Sequence, residues 1–194
     1  MQQITKVRPL RHWSAALAAL ATMVAGPAHA CRMTVAPTLE DVRYADVVVI
    51  GRIDKYRIIR DESSRRRMLL SPHLSPDMRK MYADPKQGLL SDYAHFDIQV
   101  DEVLLGKAGA RISVTWDNST FGEPDRMAPG QYLIALRRPG SLSPPLRGPS
   151  ATIIPSPDRN ALTILQAPCS SAFIFNVDSD QARAIRKILY ARAH

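Results

Sequence analysis

The stretch Asp46–Ile59, with the sequence DVVVIGRIDKYRII, decides the fold. Its run VVVI at positions 47–50 is nearly continuous in β-branched residues, which is typical of a strand that is buried on both faces or curves around a barrel. Gly51 follows the run, and a glycine inside a strand often marks a bend. The pattern therefore predicts a long first strand, over residues 46–59, with a bend at Gly51.

Further strand candidates follow downstream. From Phe96, apolar and polar residues alternate, with Phe96, Ile98 and Val100 on one face, until the segment closes at a turn near Gly106. Shorter strand candidates are residues 112–116, 131–136, 151–154 and 162–166. Short strands joined by long loops favour a small antiparallel barrel, here of five or six strands.

Two segments carry helical signals. Residues 38–44, TLEDVRY, begin with a Thr cap followed by acidic residues and predict one or two helical turns. From position 182 to position 193, apolar residues recur every three or four positions, and Asp178 or Ser179 can cap the segment. The sequence thus predicts a mainly β fold, a small barrel with a C-terminal α-helix.

The first thirty residues have the three zones of a secretory signal peptide. A basic start precedes an apolar run of about a dozen residues, and Ala28-His29-Ala30 stands before Cys31. The run is shorter than the ~20 residues of a membrane-spanning helix. No later apolar stretch comes closer to that length. We expect a signal peptide over residues 1–30, export to the periplasm or the medium, and one domain over residues 31–194.

The net charge of the chain indicates a basic surface but does not identify a partner. Loss of residues 1–30 would leave 23 basic against 18 acidic residues. This surplus is spread over short clusters, so it favours acidic surfaces in general. Export and an aromatic content of only 6% argue against nucleic acid as the partner.

Cys31 and Cys169 are the only cysteines of the chain. The signal peptide places both in a compartment that permits disulfides, so we expect them to pair. In the alternative, Cys31 is the lipid-bearing cysteine of a bacterial lipoprotein, which would leave Cys169 without a partner. A lipobox usually has a larger aliphatic residue three positions before the cysteine, where this chain has Ala28.

Residues 60–92 break the strand pattern. The segment contains three prolines and a basic cluster and shows no sustained period, which predicts a long surface insertion with a short helix near residues 76–82. The cluster Arg65, Arg66 and Arg67 is the candidate contact for a protein or for an anionic envelope surface.

An ordered set of short motifs spans most of the chain. The set consists of Cys31, ADVVVIGR at 45–52, a strand that ends in VLLGK at 103–107, GQYLIA at 130–135, and Cys169. This order resembles the bacterial relatives of the netrin-like and tissue-inhibitor-of-metalloproteinases modules. The resemblance covers most of residues 31–175 and implies an OB-type five-stranded barrel.

The resemblance also implies a role for the mature N-terminus. In the animal inhibitors, the N-terminal cysteine chelates the catalytic zinc of a protease through its α-amine and its carbonyl oxygen. If this chain acts in the same way, as the resemblance implies, Cys31 would chelate the zinc and Arg32 would enter the specificity pocket of the protease. Met33 stands where the family has a second cysteine.

The sequence contains none of the common enzyme signatures. There is no His-Glu-x-x-His, Gly-x-Ser-x-Gly, Gly-rich phosphate loop or Cys-x-x-Cys. His95 and Asp97 could share a strand face, but two such residues without further ligands predict no metal site. We therefore expect a non-enzymatic, cofactor-free exported module that binds a protein or an envelope partner. The alternative is a zinc-metalloprotease inhibitor that acts through Cys31.

Overall fold

The computed structural model describes residues 35–84, 86, 88, 92–117, 124–148 and 158–193 of the chain. In this part, the strands are β1 (Val47–Ile59), β2 (Tyr93–Leu105), β3 (Arg111–Asp117), β4 (Gln131–Arg137), β5 (Leu162–Ile164) and β6 (Ile174–Asn176). A 3₁₀ turn (Leu39–Tyr44) precedes β1, and the α-helices are α1 (Glu62–Leu69), α2 (Pro76–Ala83) and α3 (Asp180–Ala193).

Five of the strands close into a barrel. The strand order is β1-β2-β3-β5-β4, and β4 pairs in turn with β1, which closes the sheet. The β3–β5 pair is parallel and the other pairs are antiparallel. Strand β6 adds to β4 as a sixth strand. The predicted mainly β fold, an OB-like barrel with a C-terminal helix, is confirmed.

Strand β1 pairs with two neighbouring strands. It pairs with β4 over residues 47–52 and with β2 over residues 48–59, and the register shifts between Ile50 and Gly51. A Cβ atom added to Gly51 would lie 2.3 Å from the carbonyl oxygen of Gln99. The pairing of β1 with β2 is therefore irregular beside Gly51, where the two strands approach too closely for a side chain. The bend itself stays a prediction.

The VVVI run of β1 is buried on both faces, as predicted. Val47 and Val49 belong to a cluster with residues from all four other barrel strands, which fills the barrel interior. Val48 and Ile50 belong to a second cluster, between the barrel wall and α3. The run lacks alternation because neither of its faces meets water.

Helix α3 covers one side of the barrel. The Oγ atom of Ser179 accepts a hydrogen bond of 3.2 Å from the backbone N–H of Ala182, which caps the first turn. Ala182, Ile185 and Leu189 are buried, as their spacing predicts. None of the helices that the structure describes is long and apolar enough to cross a membrane.

Several predictions concern residues outside the described ranges. These are the signal peptide, the N-terminal residues Cys31, Arg32 and Met33, and the strand at 151–154. Within the described ranges, α1 and β6 were not predicted from the sequence. Helix α1 is dominated by Ser and Arg and shows no apolar period, and β6 has three residues.

Candidate functional site

The insertion at residues 60–92 leaves the barrel at the end of the β1–β2 pair. Its last pairs are Ile58 with Ala94 and Ile59 with Tyr93, so the insertion is the connection between β1 and β2. In OB-type barrels, the connection between the first two strands is one of the places that bind ligands. The insertion is therefore the first region to test for a binding site.

Each helix of the insertion carries its own N-terminal cap. The Oδ1 atom of Asp61 accepts from the backbone N–H of Ser64 at 2.9 Å, at the start of α1. The Oγ atom of Ser75 accepts from the N–H of Met78 at 3.3 Å, and Pro76 occupies the first turn of α2. Eight-residue helices are marginal in isolation, so the caps must act together with tertiary contacts.

A buried arginine supplies those contacts. Arg65 is only 6% exposed, and its Nη1 atom donates to the carbonyl oxygens of Tyr82 at 3.1 Å and Asp84 at 3.2 Å. Its Nη2 atom lies 3.9 Å from Oδ2 of Asp92, while Oδ1 of Asp92 accepts from the N–H of Asp61 at 2.8 Å. One guanidinium thus joins α1, the end of α2 and the start of β2.

This position corrects the expectation for Arg65. The sequence suggested that Arg65, Arg66 and Arg67 form one contact cluster, but Arg65 is buried, whereas Arg66 and Arg67 are exposed. Successive residues of a helix are about 100° apart around its axis, so three adjacent arginines cannot share a face. Of the cluster, only Arg66 and Arg67 remain available to a partner, and Nη2 of Arg67 also donates to Oγ of Ser64 at 2.7 Å.

A second arginine joins the two helices near their connection. Arg79 of α2 donates from Nη1 to the carbonyl oxygen of Leu69 and from Nη2 to that of Ser71, the latter at 3.1 Å. A cation at these carbonyls also complements the negative end of the α1 dipole. Sequence reasoning missed this role because it depends on the unpredicted end of α1.

The part of the insertion where α1 connects to α2 exposes large apolar side chains. Leu70 is 77% exposed, Met68 44% and Met78 38%. They are three of the seven large apolar residues that are exposed in the described part of the chain. Met68 and Leu70 lie at the end of α1 and Met78 lies in the first turn of α2. We call these three exposed side chains the apolar patch.

The same region concentrates the basic charge of the insertion. We call residues 66–80 the insertion tip. It contains four basic residues and one acidic residue, whereas the rest of the 60–92 segment has three basic and four acidic residues. The basic residues of the tip are Arg66, Arg67, Arg79 and Lys80. Arg66 and Lys80 are exposed, and neither forms an ion pair with a described residue.

The N-terminal segment lies at a separate place. The N–H of Val35 donates to the carbonyl oxygen of Cys169 at 2.9 Å, and the N–H of Ser171 donates to that of Val35 at 3.0 Å. A cavity of about 280 Å³ adjoins this segment, between Pro37 and Gly148. The chain four residues after Cys31 is therefore fixed beside Cys169.

His95 and Asp97 have other neighbours. The Nε2 atom of His95 lies 3.0 Å from Oγ of Ser113, and Oδ2 of Asp97 lies 3.1 Å from Nζ of Lys55. No three His, Cys, Asp or Glu residues of the described ranges converge in a way that could hold a metal ion.

No family model and no curated protein matches the chain. The two features of the described structure that bear on function are the insertion tip and the segment beside Cys169.

Proposed function

We propose that the protein is an exported, non-enzymatic binding module that contacts an anionic partner through the insertion tip. The observation that carries the proposal is the exposure of Arg66 and Lys80, without ion-pair partners in the described chain, next to an exposed apolar patch. Exposed apolar patches rimmed by polar residues often mark interaction sites. The tip combines such side chains with two cations, Arg66 and Lys80, that form no ion pair with a described residue.

The tip is organised before it meets a partner. Helices α1 and α2 pack against each other more extensively than against any described strand. The guanidinium groups of Arg65 and Arg79 connect them at both ends. A surface that is already ordered loses less conformational entropy on binding than a flexible loop does.

The sequence supports the remaining parts of the proposal. Export follows from the predicted signal peptide, and the absence of enzyme signatures favours a binding role. The OB-like barrel supports the resemblance to bacterial netrin-like modules, since that family has the same type of barrel. An anionic partner agrees with the basic surplus of the chain.

The test compares binding to an isolated envelope fraction of the native host at low and high salt. The variant Arg66→Ser/Lys80→Ser should bind more weakly, with a smaller effect of salt, because exposed electrostatic contacts are screened by ions. The matched control Lys107→Ser/Arg111→Ser removes the same charge from exposed positions of the barrel. Equal binding by both variants would refute the proposed role of the tip.

We infer a second candidate function, inhibition of a zinc metalloprotease through Cys31. The hydrogen bonds of Val35 to Cys169 and Ser171 support it, because they fix the chain close to the predicted N-terminus. An inhibitory α-amine has to be held rigidly to chelate a metal. Val35 itself is 38% exposed, so this edge of the molecule is accessible to a partner.

A further inference from the structure

We propose that the partner of the insertion tip is a bilayer surface rich in anionic phospholipids. In this arrangement Leu70 and Met78 enter the boundary between headgroups and acyl chains, while Arg66 and Lys80 contact lipid phosphates. The inference rests on the proposed function and names the partner of that site.

The exposed apolar side chains lie at the connected ends of α1 and α2. Arg79 donates to the carbonyl oxygens of Leu69 and Ser71, the residues on either side of Leu70. This contact joins the end of α1, where Leu70 lies, to the first turn of α2, which contains Met78. Leu70 is 77% exposed, so most of its side chain would leave water on entering a membrane.

The charge of the tip complements anionic headgroups. Its four basic residues and one acidic residue lie within fifteen positions, next to the apolar patch. Each Lys or Arg near an anionic membrane contributes roughly 1 kcal/mol to binding. Long basic side chains can also keep their charged ends at the phosphates while neighbouring apolar groups lie deeper.

The shape of the tip favours a bilayer over a soluble acidic partner. The two helices follow the end of the β1–β2 pair and pack mainly on each other. A soluble polyanion would neutralise Arg66 and Lys80 but would leave Leu70 in water. A phospholipid surface accommodates both the cations and the apolar side chains, as it does for amphipathic interfacial segments.

The experiment measures sedimentation of the purified protein with two kinds of vesicle. One contains equal amounts of phosphatidylglycerol and phosphatidylcholine, and the other contains phosphatidylcholine alone. We expect binding to the anionic vesicles only. Arg66→Ser/Lys80→Ser should lower the partition coefficient about 30-fold, and Leu70→Ser about tenfold. The controls are Lys107→Ser/Arg111→Ser for charge and, for exposed apolar area, Leu142→Ser, which removes a fully exposed leucine outside the insertion.

Each outcome decides between the alternatives. Equal binding to both vesicles, or anionic binding that Leu70→Ser leaves unchanged, overturns the inference. Failure to bind vesicles, combined with tip-dependent binding to the envelope fraction, also overturns it. That result would identify an acidic protein or polymer as the partner and leave the proposed function intact. If the tip variants change neither assay, both proposals fail.

Discussion

The Nη2 atom of Arg65 lies 3.9 Å from Oδ2 of Asp92, and both side chains are buried. Asp92 directly precedes β2, so this pair connects α1 to the barrel across 27 positions of sequence. Removal of one member of a buried ion pair leaves a buried charge without compensation. The arrangement of the insertion tip therefore depends on a buried residue.

We expect Arg65→Ala to unfold the insertion locally and to leave the barrel folded. Loss of the buried guanidinium should cost about 3 kcal/mol in the local stability of α1 and α2. Hydrogen exchange should therefore become faster for the amides of residues 61–84 and stay unchanged for residues 47–52.

The exposed neighbour Arg67 provides the matched control. Arg67→Ala removes one contact to Ser64 and should change exchange little, since exposed interactions contribute roughly 0 to 1 kcal/mol. Unchanged protection of residues 61–84 in Arg65→Ala would contradict the structural role of Arg65. The affinity of Arg65→Ala for the partner should decrease together with the hydrogen-exchange protection of residues 61–84.

The barrel was easier to predict than the insertion, for a physical reason. Burial on both faces leaves a run such as VVVI, and burial on one face leaves the alternation that begins at Phe96. Both signals follow from transfer of apolar side chains out of water. In α1 a polar residue, Arg65, occupies the buried position, so no apolar period marks the helix.

The predicted contact cluster likewise shows that proximity in sequence does not predict which side chains share a surface. Sequence proximity placed Arg65, Arg66 and Arg67 together, but the helix separates the first from the other two. Conversely, Arg79 lies outside the cluster in sequence, yet its side chain donates to the carbonyl oxygens of Leu69 and Ser71. The connection between the two helices allows this contact, and no local pattern in the sequence fixes that connection.

Gly51 offers a test of the barrel closure. Gly51→Ala places a Cβ atom 2.3 Å from the carbonyl oxygen of Gln99, so β1 and β2 must separate locally. Overpacking of this kind typically costs about 1 to 3 kcal/mol in the free energy of unfolding. Urea denaturation of the purified protein should show this decrease. Gly109→Ala is the control, because its nearest neighbour would be 3.7 Å from the added Cβ atom. Equal midpoints for the two variants would argue against a close approach at Gly51.

The predicted disulfide can be tested by mass and by stability. Val35 is hydrogen-bonded to Cys169, and Cys31 is only four residues away, within reach of an extended chain. We expect the secreted protein to begin at Cys31 and to contain no thiol. The chain-entropy model gives such a long loop about 4 to 5 kcal/mol of stabilisation as an upper value. Reduction should therefore lower the melting temperature. Two titratable thiols, or a diacylglycerol adduct on Cys31, would refute the pairing.

The last prediction separates the two candidate functions, which use different parts of the molecule. An alanine added before Cys31 should abolish zinc-protease inhibition, because the chelate needs the nitrogen and the oxygen of one residue. The same extension should leave tip binding unchanged. Conversely, Arg66→Ser/Lys80→Ser should weaken binding to the envelope fraction without affecting inhibition.

Both variants are compared with unmodified protein whose Cys31 amine has been verified as free by N-terminal analysis. If that protein inhibits no member of a zinc-protease panel, the inhibitor function is excluded. If the extension weakens envelope binding as strongly as the tip substitutions do, the tip is not the separate contact that we propose.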